Sequence, residues 1–475
     1  MATMKSHRHH YIDGRWRPSA SADLIEVINP FTERPIATIP AGTATDAEAA
    51  VLAARAAFDG WSAQTVAHRA DVLRGVARGM RRRREELVEV TVAELGAPRS
   101  AAESVQVDLP TDVLEKICDY AQQIELEVSE QNIVVLREPF GVVGCITPWN
   151  FPLHQVVVKI ASAIVMGCTV VLKPSEVTPL SALILAEIME DAGVPAGVFN
   201  LVLGTGPVVG EVLASHPEVD LVSFTGSTTA GVRVAELAAR TVKKVTLELG
   251  GKSASIVLED ADLVTAVEET VTRCFSNSGQ ACNALSRLLV PQAALADAEA
   301  AAAAAASRFV VGDPLAEQTV LGPLVSATQR QRVRDHIDRA VADGARVVHG
   351  GSEPPPEHQT GYFVRPTVLS DVTPGMAIAR DEVFGPVLTI IPYESLDEAV
   401  RMANDTDYGL SAAVWGADEA TLHSVARQLR SGQVIINGGA WSFAAPFGGY
   451  KMSGLGRESG AWGLEEFLEV KALRL

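Results

Sequence analysis

From residue 141 onward, short apolar runs alternate with longer segments of helical periodicity. Residues 142–147, 169–173, 198–202 and 221–225 are rich in valine, isoleucine, leucine and phenylalanine, the pattern of strands buried on both faces. Residues 151–166, 179–192 and 208–214 lie between them and read as helices. This spacing predicts a parallel, doubly wound α/β sheet with ligand sites at the strand ends. After Gly251 the alternation begins again, with strands at 255–258, 286–290, 363–369, 387–392 and 434–437 and a helix at 263–275. Residues 293–308 are so alanine-rich that propensity alone makes them a helix. The second half therefore reads as another α/β domain, not an internal repeat.

Ahead of this region, residues 11–16 (YIDGRW) read as a hairpin around an Asp-Gly turn. Residues 46–58 and 68–92 have helical periodicity, residues 353–357 (EPPPE) read as an exposed loop, and 464–475 as a closing amphipathic stretch. Residues 125–138 and 469–475 read as strands with no partner in their own domain, edges that invite pairing with another subunit.

A length of 475 residues exceeds one compact core and implies two or three domains. The net charge of -18 argues against a nucleic-acid partner. The one dense basic run, residues 81–84, is followed by Glu85, Glu86 and Glu89 and reads as a solvated helix face. Five cysteines without CxxC spacing disfavour a disulfide framework and a zinc site, and suggest a reducing cytoplasm. The N-terminus, with Lys5, Arg8 and three histidines, lacks a signal-peptide core and reads as a frayed polar tail. No apolar run approaches the roughly 20 residues needed to span a bilayer.

Two polar stretches carry the candidate chemistry. Residues 247–253 (LELGGKS) offer Glu248 beside a Gly-Gly turn, and residues 275–283 (FSNSGQACN) offer Cys282 in what reads as an exposed loop. A thiolate nucleophile with a base for the following step is the minimum for covalent chemistry at a carbonyl. Cys145 and Cys168 fall in or beside apolar runs, and Cys118 and Cys274 on helices, so Cys282 stands apart. Asn150, in TPWNFPL (147–153), could donate to an oxyanion, though a turn asparagine reads the same way. Residues 223–231 (SFTGSTTAG) place Gly226 after a strand and begin a helix at Ser227, which would turn free N–H groups towards phosphates; an ordinary strand-to-helix turn is the alternative. Residues 204–210 are a weaker, mis-spaced glycine fingerprint. Lys173 and Glu176 end another strand, where a carboxylate can accept both ribose hydroxyls and repel a 2′-phosphate, favouring NAD over NADP; a surface ion pair is the alternative.

The segments TPWNFPL, KPSE, FTGS, LELGGKS, GQAC, EVFGP (382–386) and PFGGYKMSG (446–454) occur in one order over nearly the whole chain, and the set resembles the NAD(P)-dependent aldehyde dehydrogenase superfamily. The resemblance implies Cys282 as nucleophile, Glu248 as general base, and Asn150 with the Cys282 N–H as oxyanion hole. It implies Lys173 and Glu176 at the adenine ribose, Trp149 and Ser227 near the pyrophosphate, and Glu382 and Phe384 at the nicotinamide ribose. Phe151, Trp441 and Phe447 match aromatic substrate-pocket positions, Val158 stands where some members carry tryptophan, and His154 and Gln155 replace apolar residues, giving a mostly apolar tunnel with a polar wall and no arginine for a substrate carboxylate; neutral aldehydes are expected. The implied architecture is a Rossmann-like NAD-binding domain (1–120 and 139–247), an α/β catalytic domain (248–450) and a small β oligomerisation element (121–138 and 467–475), assembled as a homodimer or homotetramer. Where many members carry an acid, this chain has Ala461, so a proton route from the base through a lysine matching Lys159 lacks its acid at that position. The rivals are CoA-acylating oxidation, against which Glu248 argues, and a non-catalytic nucleotide-binding relative.

Overall fold

The computed structural model describes residues 5–475; residues 1–4 of the expected polar tail lie outside it. Five parallel strands form the centre of an eight-stranded sheet, in the spatial order Lys244–Glu248, Leu221–Thr225, Val142–Ile146, Thr169–Lys173, Phe199–Leu201. The chain enters in the middle at Val142–Ile146, winds to one side, then crosses to the other at Leu221–Thr225. That reversal opens a crevice at the carboxyl ends of these two strands. Every residue of both is buried, which explains why neither shows polar alternation in sequence. The hairpin His9–Ile12 and Arg15–Pro18 extends one side, Leu201 pairing with Tyr11. Gly454–Leu455 closes the other, running antiparallel so that Gly454 pairs with Glu248.

The second sheet has seven strands in the order Arg346–His349, Thr367–Ser370, Val387–Tyr393, Arg287–Pro291, Ala254–Val257, Ser411–Trp415, Gln433–Ile436. All its pairs are parallel except the first. Only residues 249–253 separate the end of Glu248's strand from the first strand of this sheet, so the two sheets meet at the Gly250-Gly251 turn.

A third, antiparallel sheet places Ile133–Pro139 between Glu127–Glu130 and Leu468–Arg474. The strands expected at 125–138 and 469–475 therefore pair with one another, the first being a hairpin that turns at Gln131 (φ 51°). Residues 464–475 are not one amphipathic stretch. The helix Gly460–Glu465 ends there, and of the strand Leu468–Arg474 only Leu468 is buried.

Other expectations also change. The N-terminal segment is not frayed from residue 5 on: Lys5–Ser6 pairs with Arg34–Pro40, and His10 is fully buried, its Nδ1 accepting the Leu203 N–H at 3.1 Å. The periodic run 68–92 is two helices, Val66–Arg82 and Arg84–Leu95, broken at Arg83. The basic run across that break is not merely solvated, because Arg81 pairs with Glu115 and Asp112, Arg83 with Glu187 and Arg84 with Asp108. The strand expected at 363–369 forms only over Thr367–Ser370, since Pro366 has no N–H for a ladder.

One buried acid ties this scaffold to the crevice. Glu94 is wholly buried and accepts the N–H groups of Leu180 (2.7 Å) and Ser181 (3.3 Å), unpaired donors at the start of the helix Leu180–Asp191. That helix follows the turn carrying Glu176. Burial raises the Glu94 pKa to about 8. A folded-state pKa above the unfolded value means stability that is present in acid and is lost as pH rises through about 8. The Tm of the wild type should therefore fall between about pH 5 and pH 8, and Glu94→Gln should fall less over that range. Equal slopes would show that this carboxyl is not the titrating group.

Candidate active site

Four strand ends of the first sheet converge on the crevice. Val142–Ile146 delivers Trp149 and Asn150, Thr169–Lys173 delivers Lys173 and Glu176, Leu221–Thr225 delivers Gly226 and Ser227, and Lys244–Glu248 ends on Glu248. The second sheet contributes Cys282 and the turn 382–386. A cavity of about 130 Å³ is lined by Trp149, Asn150, Gly226, Ser227, Cys282, Glu382 and Phe384, with Gln155, Thr225, Gly250, Gln329 and Arg332 also on its wall.

The Cys282 segment is not the exposed loop its polar residues suggest. Ser278, Gly279, Gln280 and Ala281 are all buried. Their polar groups are satisfied internally: Gln280 accepts the Val325 N–H through Oε1 (3.0 Å) and donates to the Asn277 carbonyl (3.2 Å), while Ser278 donates to the Gly322 carbonyl (2.9 Å). The loop turns through left-handed backbone at Asn277 (φ 53°), Ser278 (φ 57°) and Gly279 (φ 72°). A Cβ at Gly279 would lie 2.1 Å from the Gly385 carbonyl carbon, so only glycine fits. Cys118, Cys145, Cys168 and Cys274 are buried, with burial raising Cys145 and Cys274 to about 12; of the five thiols only Cys282 is partly accessible. Burial, then the neighbouring Glu248 carboxylate, push the Cys282 thiol up as well.

Asn150 is buried, and its amide donates to the Gln280 carbonyl at 2.9 Å, which sets it against the Cys282 loop with a second N–H on the same nitrogen. Glu248 is 3% exposed, and neither carboxylate oxygen has a hydrogen-bond partner. Burial and the nearby Glu458 hold its pKa well above the usual carboxylate range, while Lys159 and Arg457 pull it down. Gly448 (φ 153°) faces it, where a Cβ would sit 2.7 Å from Glu248 Oε1.

The acid sought at Ala461 sits three residues earlier. Glu458 pairs with Lys159, itself 1% exposed, and lies close enough to Glu248 to shift it. The antiparallel bridge between Phe447 and Glu458 (2.7 Å in both directions) brings that acid inward, which spacing along the chain does not reveal.

The crevice suits a dinucleotide. Ser227 caps the helix Thr228–Ala239 by accepting the Ala230 N–H, leaving other first-turn N–H groups directed outward. Gly226 leaves space that a Cβ would lose to the Phe224 ring, 2.5 Å away. Lys173 is 3% exposed and pairs with the more accessible Glu176 at 2.8 Å, so this is not a surface ion pair. Glu382 accepts the Gly251 N–H (3.0 Å), and Phe384 (φ 59°) stands edge-on to Trp149 at 5.3 Å. Gln329 and Arg332, both missed in sequence, hold this turn by donating to the Phe384 (2.8 Å) and Glu382 (2.9 Å) carbonyls. They belong to a helix, Ala327–Ala342, whose amphipathic pattern gives no sign of them. The glycine fingerprint at 204–210 does not line the cavity.

Of the expected pocket residues only Gln155 lines this cavity; Phe151, His154, Val158, Trp441 and Phe447 do not. Val158 is buried, Phe151 and Phe447 are half-buried, and Trp441 is 48% exposed with Lys116 5.9 Å from its ring. His154 Nδ1 is buried without a partner, and burial lowers that imidazole to about 4.

The chain matches the aldehyde dehydrogenase family over residues 16–473. It is 48% identical over 476 residues to a 3-succinoylsemialdehyde-pyridine dehydrogenase from a Pseudomonas species, covering 99% of both chains. The crystal structure of a mutant of aldehyde dehydrogenase C from Pseudomonas syringae, in complex with NAD+ and octanal, superposes with a TM-score of 0.97 at 48% identity, covering 98% of this chain and 96% of that one. An NAD+ complex of aldehyde dehydrogenase from Bacillus cereus superposes with a TM-score of 0.95 at 38% identity, covering 98% and 96%.

Because the Glu248 carboxylate raises the Cys282 thiol, Glu248→Gln should lower that pKa and enlarge the thiolate fraction at a given pH. Alkylation of Cys282 by iodoacetamide at pH 8 should run about 2- to 10-fold faster than in the wild type. An unchanged or slower rate would show that the two groups are not electrostatically linked.

Proposed function

The chain belongs to the aldehyde dehydrogenase family, and we propose that it oxidises neutral aldehydes to carboxylic acids with NAD, using Cys282 as nucleophile, Glu248 as base and Asn150 as oxyanion donor. The observation that carries this reading is the single cavity lined by both Cys282 and Asn150 at the switch point of the first sheet, with the unpartnered Glu248 carboxylate buried nearby.

The Cys282 thiolate adds to the aldehyde carbon, and the oxygen takes negative charge as a thiohemiacetal. A second N–H of Asn150 and the backbone N–H of Cys282 stabilise that charge. Glu176, Ser227, Glu382 and Phe384 would hold NAD, which when bound would supply the acceptor for the hydride that leaves this carbon. The product is a thioester on Cys282. Glu248 then takes a proton from water, hydroxide adds to the thioester, and the sulfur departs as the acid forms. A carboxylate with a raised pKa and no hydrogen bonds is suited to accept that proton near neutral pH. Lys159 and Glu458 give the proton an onward path. The Glu176 carboxylate favours NAD over NADP by repelling a 2′-phosphate.

Glu248 also separates this reading from CoA-acylating oxidation, in which a thiol and not water takes the acyl group. Arg332 is the one arginine on the cavity wall and donates to the Glu382 backbone carbonyl, on the side given above to the nicotinamide ribose, which supports a neutral substrate. Among the described residues no helix is long and apolar enough to cross a membrane, and the five cysteines are free thiols, which suits a reducing cytoplasm. The third sheet supports a homodimer or homotetramer, because its outer strands expose Val128, Val470 and Leu473 along edges open to pairing.

With a neutral aldehyde, NADH absorbance should appear without added CoA, vanish in Cys282→Ala, and fall about 100- to 1000-fold in Asn150→Ala. Rates with octanal-like and benzaldehyde-like substrates should exceed those with succinate semialdehyde; a preference for the acid would overturn the neutral-substrate reading. Light scattering after gel filtration should give a dimer or tetramer. Val470→Lys should weaken it, and an unchanged assembly would exclude this edge from the interface.

A further inference from the structure

Just before the helix Leu109–Ala121, residues 102–108 form a wide, π-helical turn. Pro110 explains it. In a regular helix its ring would collide with the Gln106 carbonyl, and it has no N–H to donate. The turn opens instead, and the Leu109 N–H reaches the Ser104 carbonyl five residues back. Such turns break the 3.6-residue period and recur at functional sites. Here the break turns Gln106 and Val107 inward together, each 1% exposed.

The buried Gln106 amide donates to the Asn150 carbonyl at 3.2 Å and to Asn277 Oδ1 at 3.3 Å. Asn277 donates in turn to the same Asn150 carbonyl (2.9 Å) and to the Gln280 carbonyl (3.3 Å). Asn150 completes the ring by donating to the Gln280 carbonyl. Three side-chain amides from three distant segments thus converge on two carbonyls, one on the loop of Asn150 and one on the loop of Cys282. Gln106 Oε1 is buried without a partner, a cost that an isosteric methionine would avoid. What glutamine supplies and methionine does not is the pair of donors.

We infer that Gln106 is a positioning residue for the oxyanion site, locking the loop of Asn150 to the loop of Cys282 so that amide and sulfur keep one relative placement. This rests on the roles given above to Cys282 and Asn150. The two loops hang from different sheets, and the Asn150 side chain must meet an oxygen attached two atoms from the Cys282 sulfur. A misplacement of about 1 Å in such a pair can cost about 100-fold in rate. Gln106 does not line the cavity of Cys282 and Asn150. It acts through Asn150.

The test is a double-mutant cycle on the full-length enzyme with a neutral aldehyde and NAD. Gln106→Met should lower kcat about 10- to 100-fold while leaving the KM for NAD within about 2-fold. Asn277→Gly, which keeps the left-handed backbone but removes the amide, should do the same. In Asn150→Ala, adding Gln106→Met should cost no more than about 2-fold further, since there is no donor left to position. A wild-type kcat in Gln106→Met, or losses that multiply in the double variant, would overturn the inference. A merely structural role would multiply in this way, and would also move the NAD KM and the Tm. If Asn150→Ala itself has wild-type kcat, the oxyanion assignment fails instead, and the two failures are told apart.

Discussion

A carboxylate buried without a hydrogen bond is expensive, and Glu248 is held in that state at the junction of the two large sheets. Its surroundings are arranged around that fact. Gly448 leaves room where any side chain would press on Oε1, the edge strand Gly454–Leu455 pins the backbone of Glu248, and the Lys159–Glu458 pair lies near enough to modulate its charge. A group in this state favours its protonated form and accepts a proton strongly when ionised. That is the property a base requires for the hydrolysis of a thioester, and it depends on tertiary packing and not on any neighbour in sequence.

The same junction governs Cys282. Cys282 and Asn150 come from different sheets, so their relative position is only as good as the contacts between the loops that carry them. Those contacts are backbone-scale: glycine packed on glycine at 279 and 385, and side-chain amides closing on main-chain carbonyls. The turn 382–386 is fixed by the same means, through Gly251, Gln329 and Arg332. Polar groups used in this way are satisfied internally and can be buried, which is why a stretch that reads as a surface loop turns out to be interior.

Much of the fold was legible because strands buried on both faces advertise themselves as unbroken apolar runs. Four of the five parallel strands of the first sheet, the restart after Gly251 and the hairpin at 11–16 all follow from periodicity and turn chemistry; the fifth strand, Lys244–Glu248, was not read, its first two residues being only half-buried and its last the Glu248 carboxylate. The errors have a common cause. The frayed N-terminus, the exposed Cys282 loop and the solvated arginine run were each inferred from polarity, and in each case the polar groups found partners far away in sequence. His10 meets Leu203, Gln280 meets Val325, and Arg81 meets Glu115. The misplaced acid at Ala461 has a related origin, because the bridge that brings Glu458 inward joins two non-repetitive segments.

Local sequence determined what kind of chemistry this chain carries: one thiol set apart from core cysteines, a carboxylate beside a glycine turn, and strand ends followed by glycine and a helix cap. Those are properties of short segments, and short segments can be read from propensity and residue type. The tertiary structure decided which of these groups line one cavity, that Glu248 is left unpaired, that Glu458 pairs with Lys159 beside it, and that Gln106 reaches the loops of both Asn150 and Cys282. None of that follows from residue type or periodicity, because each depends on distances between residues dozens to hundreds of positions apart, set by how two sheets and their loops pack; only the family resemblance put Cys282, Asn150, Glu248 and Lys159 together beforehand.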